Sequence, residues 1–494
     1  MGLMSAPWLT LLWAVPAVGA VAAAAVPRAA RWIGYTATLG ALGIGLGLAA
    51  GFDTAGGFQF AETHRWISSF GAGYRLALDG TGLVLVLLTV ALVPILLLAG
   101  WRETAPQGTG RRAGAYVALT LAVEAGVLLS FVTTDVLLFY LVFEAMLIPL
   151  YFLIAGYGGT DSEPGRRSRA AVKFLLYNLI GGLIMLAAVV GLYAAKGTFD
   201  LRVLAGTIDP GAAQNLMFLG FLFAFAVKAP LWPLHTWLPG AAVQTTPPTA
   251  VLMMAIVDKV GTFGMLRYCL TLFPDASAKF APWVAALAVI GIVYGAVLAI
   301  GQSDVMALIA YTSISHFGFI ILGIFARTGD SQAGSVLYMV NHGVATAALF
   351  LVAGLLVARR GSRRIADFGG AWSRAPKLGA IFLIAGLATL SLPGLGPFVS
   401  ELLVIVGTYP RWAVAAVVSV TALVLSAMYV LWTYQRMFTG PAPEAVMRTV
   451  DEAKPRELAF LVPLIVALFA LGLFPAPVLD AINPSVAATS EAVR

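Results

Sequence analysis

Residues 389–407 read TLSLPGLGPFVSELLVIVG. The run is apolar enough for a bilayer, yet Pro393, Gly394, Gly396 and Pro397 interrupt any helix through it. Glu401 then places a carboxylate just past the interruption. Membrane spans tolerate broken backbone only where protein or water satisfies the freed N–H and C=O groups. They tolerate a charge only where it has a partner or a hydrated cavity. The stretch therefore predicts a buried, discontinuous helix built around an ionisable group, inside a helical membrane protein.

The rest of the chain agrees. Of 494 residues, 60% are hydrophobic and 11% charged, and the mean hydropathy is +0.92. Soluble domains carry about 25% charged residues. Long apolar runs recur from end to end, which makes the fold class an all-α polytopic membrane protein. An outer-membrane barrel instead alternates over segments of roughly ten residues. We count about fourteen spans, the first centred near Ala17 and the last near Val466. The run Trp8–Val26 lacks a basic flank, so no cleavable signal peptide is read.

Several chemistries are excluded. The single cysteine, Cys269, permits neither an internal disulfide nor a self-contained iron–sulfur cluster, which needs about four thiolates. Four histidines form no metal motif. Gly43, Gly45 and Gly47 lie inside an apolar helix with no strand before them, so they are packing glycines rather than a dinucleotide loop. The chain is expected to carry no redox cofactor. Its net charge of +7 lies mostly in loops, which speaks for membrane orientation and against nucleic-acid binding. Arg28/Arg31, Arg111/Arg112, Arg166/Arg167/Arg169, Arg359/Arg360/Arg363/Arg364 and Arg448/Lys454/Arg456 fall on one side, the expected cytoplasmic side. Scattered charges such as Arg65, Arg75, Lys196, Arg202 and Arg327 fall on the other, and the overall bias of roughly two to one puts both termini extracytoplasmic.

A second span is interrupted. Residues 215–240, NLMFLGFLFAFAVKAPLWPLHTWLPG, are broken by Pro230 and Pro233 beside Lys228. The two breaks lie about five spans apart, which predicts two repeats of about five helices, the second inverted relative to the first. The expected units are 1–112 (three helices), 113–275 and 276–438 (the repeats), and 439–494 (a last helix and its preceding loop).

Six ionisable residues fall where the membrane should be: Glu144, Lys228, Lys259, His316, His342 and Glu401. A charge at a span centre costs roughly 2.5–3.5 kcal/mol, so two lysines and two carboxylates facing lipid would cost on the order of ten. They should face one another in the protein interior. Lone histidines such as His342 can also serve as plain hydrogen-bonding groups. Glu124 suits either a structural pairing or a role in the path. Asp258 adjoins Lys259 but points roughly 100° away around the helix. Lys173, near a span end, is expected to snorkel, and His235 follows the first break. Together the six suit proton transfer through water. At about 4 Å and an effective dielectric near 20, a Glu144–Lys228 pair is worth roughly 4 kcal/mol, so moving one charge can load or unload the other. Glu401 lies about one turn beyond Pro397, where freed N–H groups at a helix start favour negative charge.

The segments FEAMLIPLYFLI (143–154), FAVKAPLWPLHTWLP (225–239), LIAYTSISHFGF (308–319), NHGVATAALF (341–350) and SLPGLGPFVSE (391–401) resemble, in this order, the antiporter-like subunits of respiratory complex I. The likeness spans Ala113 to Phe438, and the glutamate at 401, where related subunits carry lysine, places it in the subunit M branch. The resemblance implies fourteen helices with two inverted five-helix repeats, in a bacterial inner membrane. It implies roles in proton translocation: Glu144 modulates Lys228, Lys259 is the central lysine, His316 and His342 connect, and Glu401 is the exit-side acid. It further implies partner membrane subunits, L and N among them, with flavin, iron–sulfur clusters and quinone in partners only. Two departures stand out. Met306 and Ala307 replace a basic pair often found there, and the loop GAAVQTTPPTA lacks a histidine and an aspartate. Other readings are a subunit of an Mrp-type cation/proton antiporter, against which Glu401 speaks, and a stand-alone transporter of a small organic solute. A structural spacer leaves the buried charges unexplained.

Overall fold

A bilayer leaves each backbone polar group to be satisfied within its own segment, so the apolar runs fold as helices. The computed structural model describes residues 6–101, 111–159 and 163–492. The limits of the first and last units thus fall partly outside the described residues. Among those residues twelve helices are long and apolar enough to cross a membrane. Ala212–Lys228, Pro376–Thr389 and Gly396–Thr408 are apolar but shorter.

The shorter helices are the broken ones. Ala212–Lys228 stops at its lysine, and helix resumes only at Leu238–Gln244. Pro376–Thr389 stops before the opening motif, and helix resumes at Gly396–Thr408. Between them Ser391 and Gly394 take positive φ values of 61° and 92°. Gly394 suits such a conformation because it has no Cβ. Gly472, on the helix Pro455–Leu473, has no side chain either, which lets that helix lie directly on the Gly394 carbonyl.

Three spans form the centre. Pro247–Leu270, Val305–Ala326 and Gly329–Arg360 bury 100%, 94% and 94% of their most apolar stretches, against 28% for Ala30–Ala50. Small residues let these helices approach closely: a Cβ on Gly323 would meet the Ser331 carbonyl oxygen at 2.7 Å. Pro247–Leu270 is wound unevenly, as π-helix over Leu252–Val257 and Met265–Leu270 and as α-helix over Asp258–Gly264 between them.

Two elements depart from the helical reading. The connection before the third span holds an antiparallel hairpin, Gln59–Ile67 with Ala72–Leu78. It is fastened through both strands. Glu62 caps the first helix, accepting from Leu9 N at 2.7 Å and Thr10 N at 3.2 Å, where a helix start favours an anion. Arg75 binds Asp135 at 2.5 Å and Asp200 at 3.3 Å, so this arginine is a structural clamp. The second departure is a further helix, Ala476–Ala492, after the expected last span. It docks on Gly80, whose missing Cβ admits the Ala481 carbonyl, and through the Ser485 hydroxyl with Thr81 at 2.9 Å.

Candidate functional site

The three central spans and the two breaks bring Lys228, Lys259, His316, His342 and Glu401 into one buried band, with Glu144 at its edge. Lys259 projects from the α-wound middle of its span toward Gly329–Arg360. Its Nζ lies 2.7 Å from His342 Nδ1, donates to Met254 O at 3.1 Å, and sits 4.2 Å from the Phe317 ring centroid. An ammonium only donates, so with Lys259 charged His342 Nδ1 accepts and its proton sits on Nε2, facing Thr346 Oγ1 at 3.2 Å. A charged Lys259 thus fixes this tautomer.

From His342 the band continues. The His316 ring is 5.4 Å from His342 and 5.8 Å from Tyr338, centroid to centroid. His316 also interacts with the backbone of Thr389, the last residue before the second break. Tyr338 donates to Glu401 Oε2 at 3.4 Å, and the Ser391 hydroxyl donates to the same oxygen. Glu401 therefore takes its stabilising donors from two hydroxyls, not from the free N–H groups of the helix start, because Gly396–Thr408 begins early enough to leave it in the second turn. Asn341 ties the break to the central helix, donating to Gly396 O at 2.7 Å and Ser400 Oγ at 3.2 Å.

On the other side, Lys228 is fully buried at the C-terminal end of its helix, where exposed carbonyls favour a cation. Its Nζ has no hydrogen-bond partner among the described protein groups and lies 4.5 Å from the Phe143 ring centroid. Glu144, next to Phe143, interacts electrostatically with Lys228 but forms no direct ion pair with it. Its carboxylate lies half-buried against the helix Pro164–Lys196, in a seat left by Gly182. A Cβ on Gly182 would overlap that carboxylate. Gly182→Ala should therefore displace Glu144 and lower proton transfer roughly tenfold or more, since misplacing a transfer group by about 1 Å can cost ~10²-fold. Glu144→Asp, one methylene shorter, should restore part of the loss when combined with it. Proton uptake by membrane vesicles reads this; parental uptake in Gly182→Ala would show that the seat does not matter.

The remaining residues separate. Glu124 is fully buried with neither oxygen partnered by the described protein groups, and no lysine acts on it electrostatically. Lys173 donates to Thr236 O at 2.7 Å, closing the first break's backbone from outside. His235 is buried with its ring 5.1 Å from Tyr294. In place of the basic pair, the backbone of Met306 and Ala307 donates to Asp304, and Arg363 supplies the charge there, 3.1 Å from Asp304. Arg363, Met306 and Thr245 line a cavity of about 260 Å³ beside the loop that lacks its histidine. Sequence reasoning passed over Tyr338, Ser391 and Gly182. Tyr338 stood four residues before His342 and Ser391 inside the quoted motif, whereas Gly182 carried no local signal.

Residues 133–427 match the family model described as "NADH:quinone oxidoreductase/Mrp antiporter, TM". The chain belongs to this family. Antiporter-family relatives cover almost all of it. NADH-quinone oxidoreductase subunit M of Mycobacterium tuberculosis is 54% identical, over 97% of this chain and 93% of that one. Its namesake in Escherichia coli is 36% identical, over 97% and 96%. Among solved structures, a chain of respiratory complex I from Thermus thermophilus with bound NADH superposes with a TM-score of 0.89 at 30% identity, covering 98% of this chain and 100% of that one. The resemblance read from the five segments is thereby borne out, as is the polytopic helical membrane fold class, the hairpin apart.

Proposed function

We propose that the chain is a proton-translocating membrane subunit of NADH–quinone oxidoreductase. The observation that carries this reading is the buried band from Lys259 through His342, His316 and Tyr338 to Glu401, joined in sequence by contacts short enough for proton transfer directly or through one water. The relay runs Glu144, Lys228, Lys259, His342 and His316, Glu401. Glu144 sets the charge state of Lys228 from a neighbouring seat, and the breaks supply polar backbone and a hinge at the two ionisable ends. Quinone reduction takes place in partner subunits that hold flavin and iron–sulfur clusters. Antiporter-like subunits L and N are the expected neighbours.

The architecture we infer is fourteen spans, with residues 113–275 and 276–438 as inverted repeats, both termini extracytoplasmic, in a bacterial inner membrane. Two aspartates support the repeats. Asp135 and Asp304 each cap the helix that follows and each forms a bridge to a later loop, at Asp200 and Arg364. Lys228 and Glu401 follow them at nearly equal distances along the chain.

Affinity purification of the tagged chain from its native membrane tests the reading. The expected result is co-purification of a flavin- and iron–sulfur-containing assembly that takes up protons into proteoliposomes when NADH and quinone are supplied. Recovery without any redox partner, with cation/proton exchange intact, would overturn it.

A further inference from the structure

Between Lys228 and Lys259 the band has no contact as short as those further along, and Asp258 stands in that gap. Its helix packs on the first break through one face. A Cβ on Gly261 would meet Ala229 N at 2.9 Å and Phe225 O at 3.0 Å, and one on Gly264 would run into the Phe225 ring. Asp258 precedes Gly261 by three residues, which on an α-helix places the two about 60° apart and on one side. Lys259, a further ~100° around, leaves that face and reaches His342. The span thus presents a carboxylate toward the end of the Lys228 helix and an amine toward the histidines. Asp258 is fully buried, and neither of its oxygens has a hydrogen-bond partner among the described protein groups. It interacts electrostatically with both lysines, and Lys228 Nζ is likewise without a partner. Buried carboxylate oxygens left unbonded by protein are rare and need water or a proton to satisfy them. The abrupt change from π- to α-winding at Asp258 is of the kind that recurs at functional positions.

We propose that Asp258 is the relay carboxylate linking the two lysines. A proton leaves the Lys228 ammonium, giving the neutral amine, and converts the Asp258 carboxylate to the acid. The acid then protonates the neutral Lys259 amine and returns to carboxylate. One proton moves and no electron does; Lys259 is restored when it passes its proton on toward His342, and Lys228 when the next proton reaches it. A bridging water spans whichever step exceeds hydrogen-bond reach.

The proposal rests on the lysine relay above, and the test separates the two. Asp258→Asn, Asp258→Glu and Lys259→Arg are made in the whole complex, with assembly read from flavin content. NADH-driven proton uptake is measured in proteoliposomes, and NADH-induced infrared difference spectra are recorded in H₂O and D₂O. Asp258→Asn should lower uptake about tenfold or more and remove a carboxyl C=O band that shifts in D₂O. Asp258→Glu should keep such a band, displaced, and part of the uptake. Parental uptake in Asp258→Asn, with Lys259→Arg blocked, overturns this proposal alone. Impaired uptake with the carboxyl bands unchanged also overturns it, making Asp258 a fixed counter-charge. Parental uptake in Lys259→Arg overturns the lysine relay and this proposal with it.

Discussion

Complexes carrying Lys259→Ala should assemble and yet take up protons about tenfold or more slowly than the parent, since a positioned proton-transfer group contributes roughly 10² or more to its own step. Lys259 opens the histidine side of the band: its Nζ meets His342 and Met254 O and lies against Phe317. Lys259→Arg should fail as well. Guanidinium retains the cation and can keep the Phe317 contact, but it effectively never gives up its proton. The arginine variant therefore separates a carrier from a fixed charge, which alanine alone cannot do. Proton uptake in proteoliposomes, normalised to flavin, is the measurement. Parental uptake in Lys259→Arg would remove Lys259 from the path.

Glu401→Gln should have an effect of the same order. The amide nearly matches the carboxylate in shape and can still accept from Tyr338 and Ser391, so packing at the break survives while the titrating group is lost. Glu401→Lys should keep part of the uptake, because related subunits carry lysine at the matching position. Ser391→Ala should fall between the parent and Glu401→Gln, since it deletes one donor and leaves the acid. Pro393→Ala combined with Pro397→Ala should also impair uptake by favouring continuous helix across the break. Normal uptake in both Glu401→Gln and the double proline variant would make the broken helix a packing feature.

Much of this molecule was legible without coordinates. Membrane spans announce themselves because bilayer thickness fixes a minimum apolar length and hydrocarbon forbids unpaired backbone. Breaks announce themselves because Pro393, Pro397, Pro230 and Pro233 violate helix geometry wherever the chain goes. Charges in apolar runs stand out because lipid penalises them. Those three local rules located Glu144, Lys228, Lys259, His316, His342 and Glu401 one at a time. The hairpin was missed because its register depends on distant anchors, Arg75 on Asp135 and Glu62 on the first helix. The winding of Pro247–Leu270 was missed because π- and α-helix share one sequence pattern, and only packing against the first break selects between them.

What the sequence by itself determined is therefore the membrane, the interrupted spans and the identity of the ionisable groups, each a property of a short stretch meeting its solvent. Only the tertiary structure decided which group meets which. It set Lys259 against His342, gave Glu401 the hydroxyls of Ser391 and Tyr338, and seated Glu144 on Gly182 away from a direct ion pair with Lys228. It also turned Asp258 toward the break and Lys259 away from it. The physical reason is that contact partners are fixed by helix rotation and close approach, and these are set by residues far apart in the chain whose own stretches carry no sign of the neighbour they will touch.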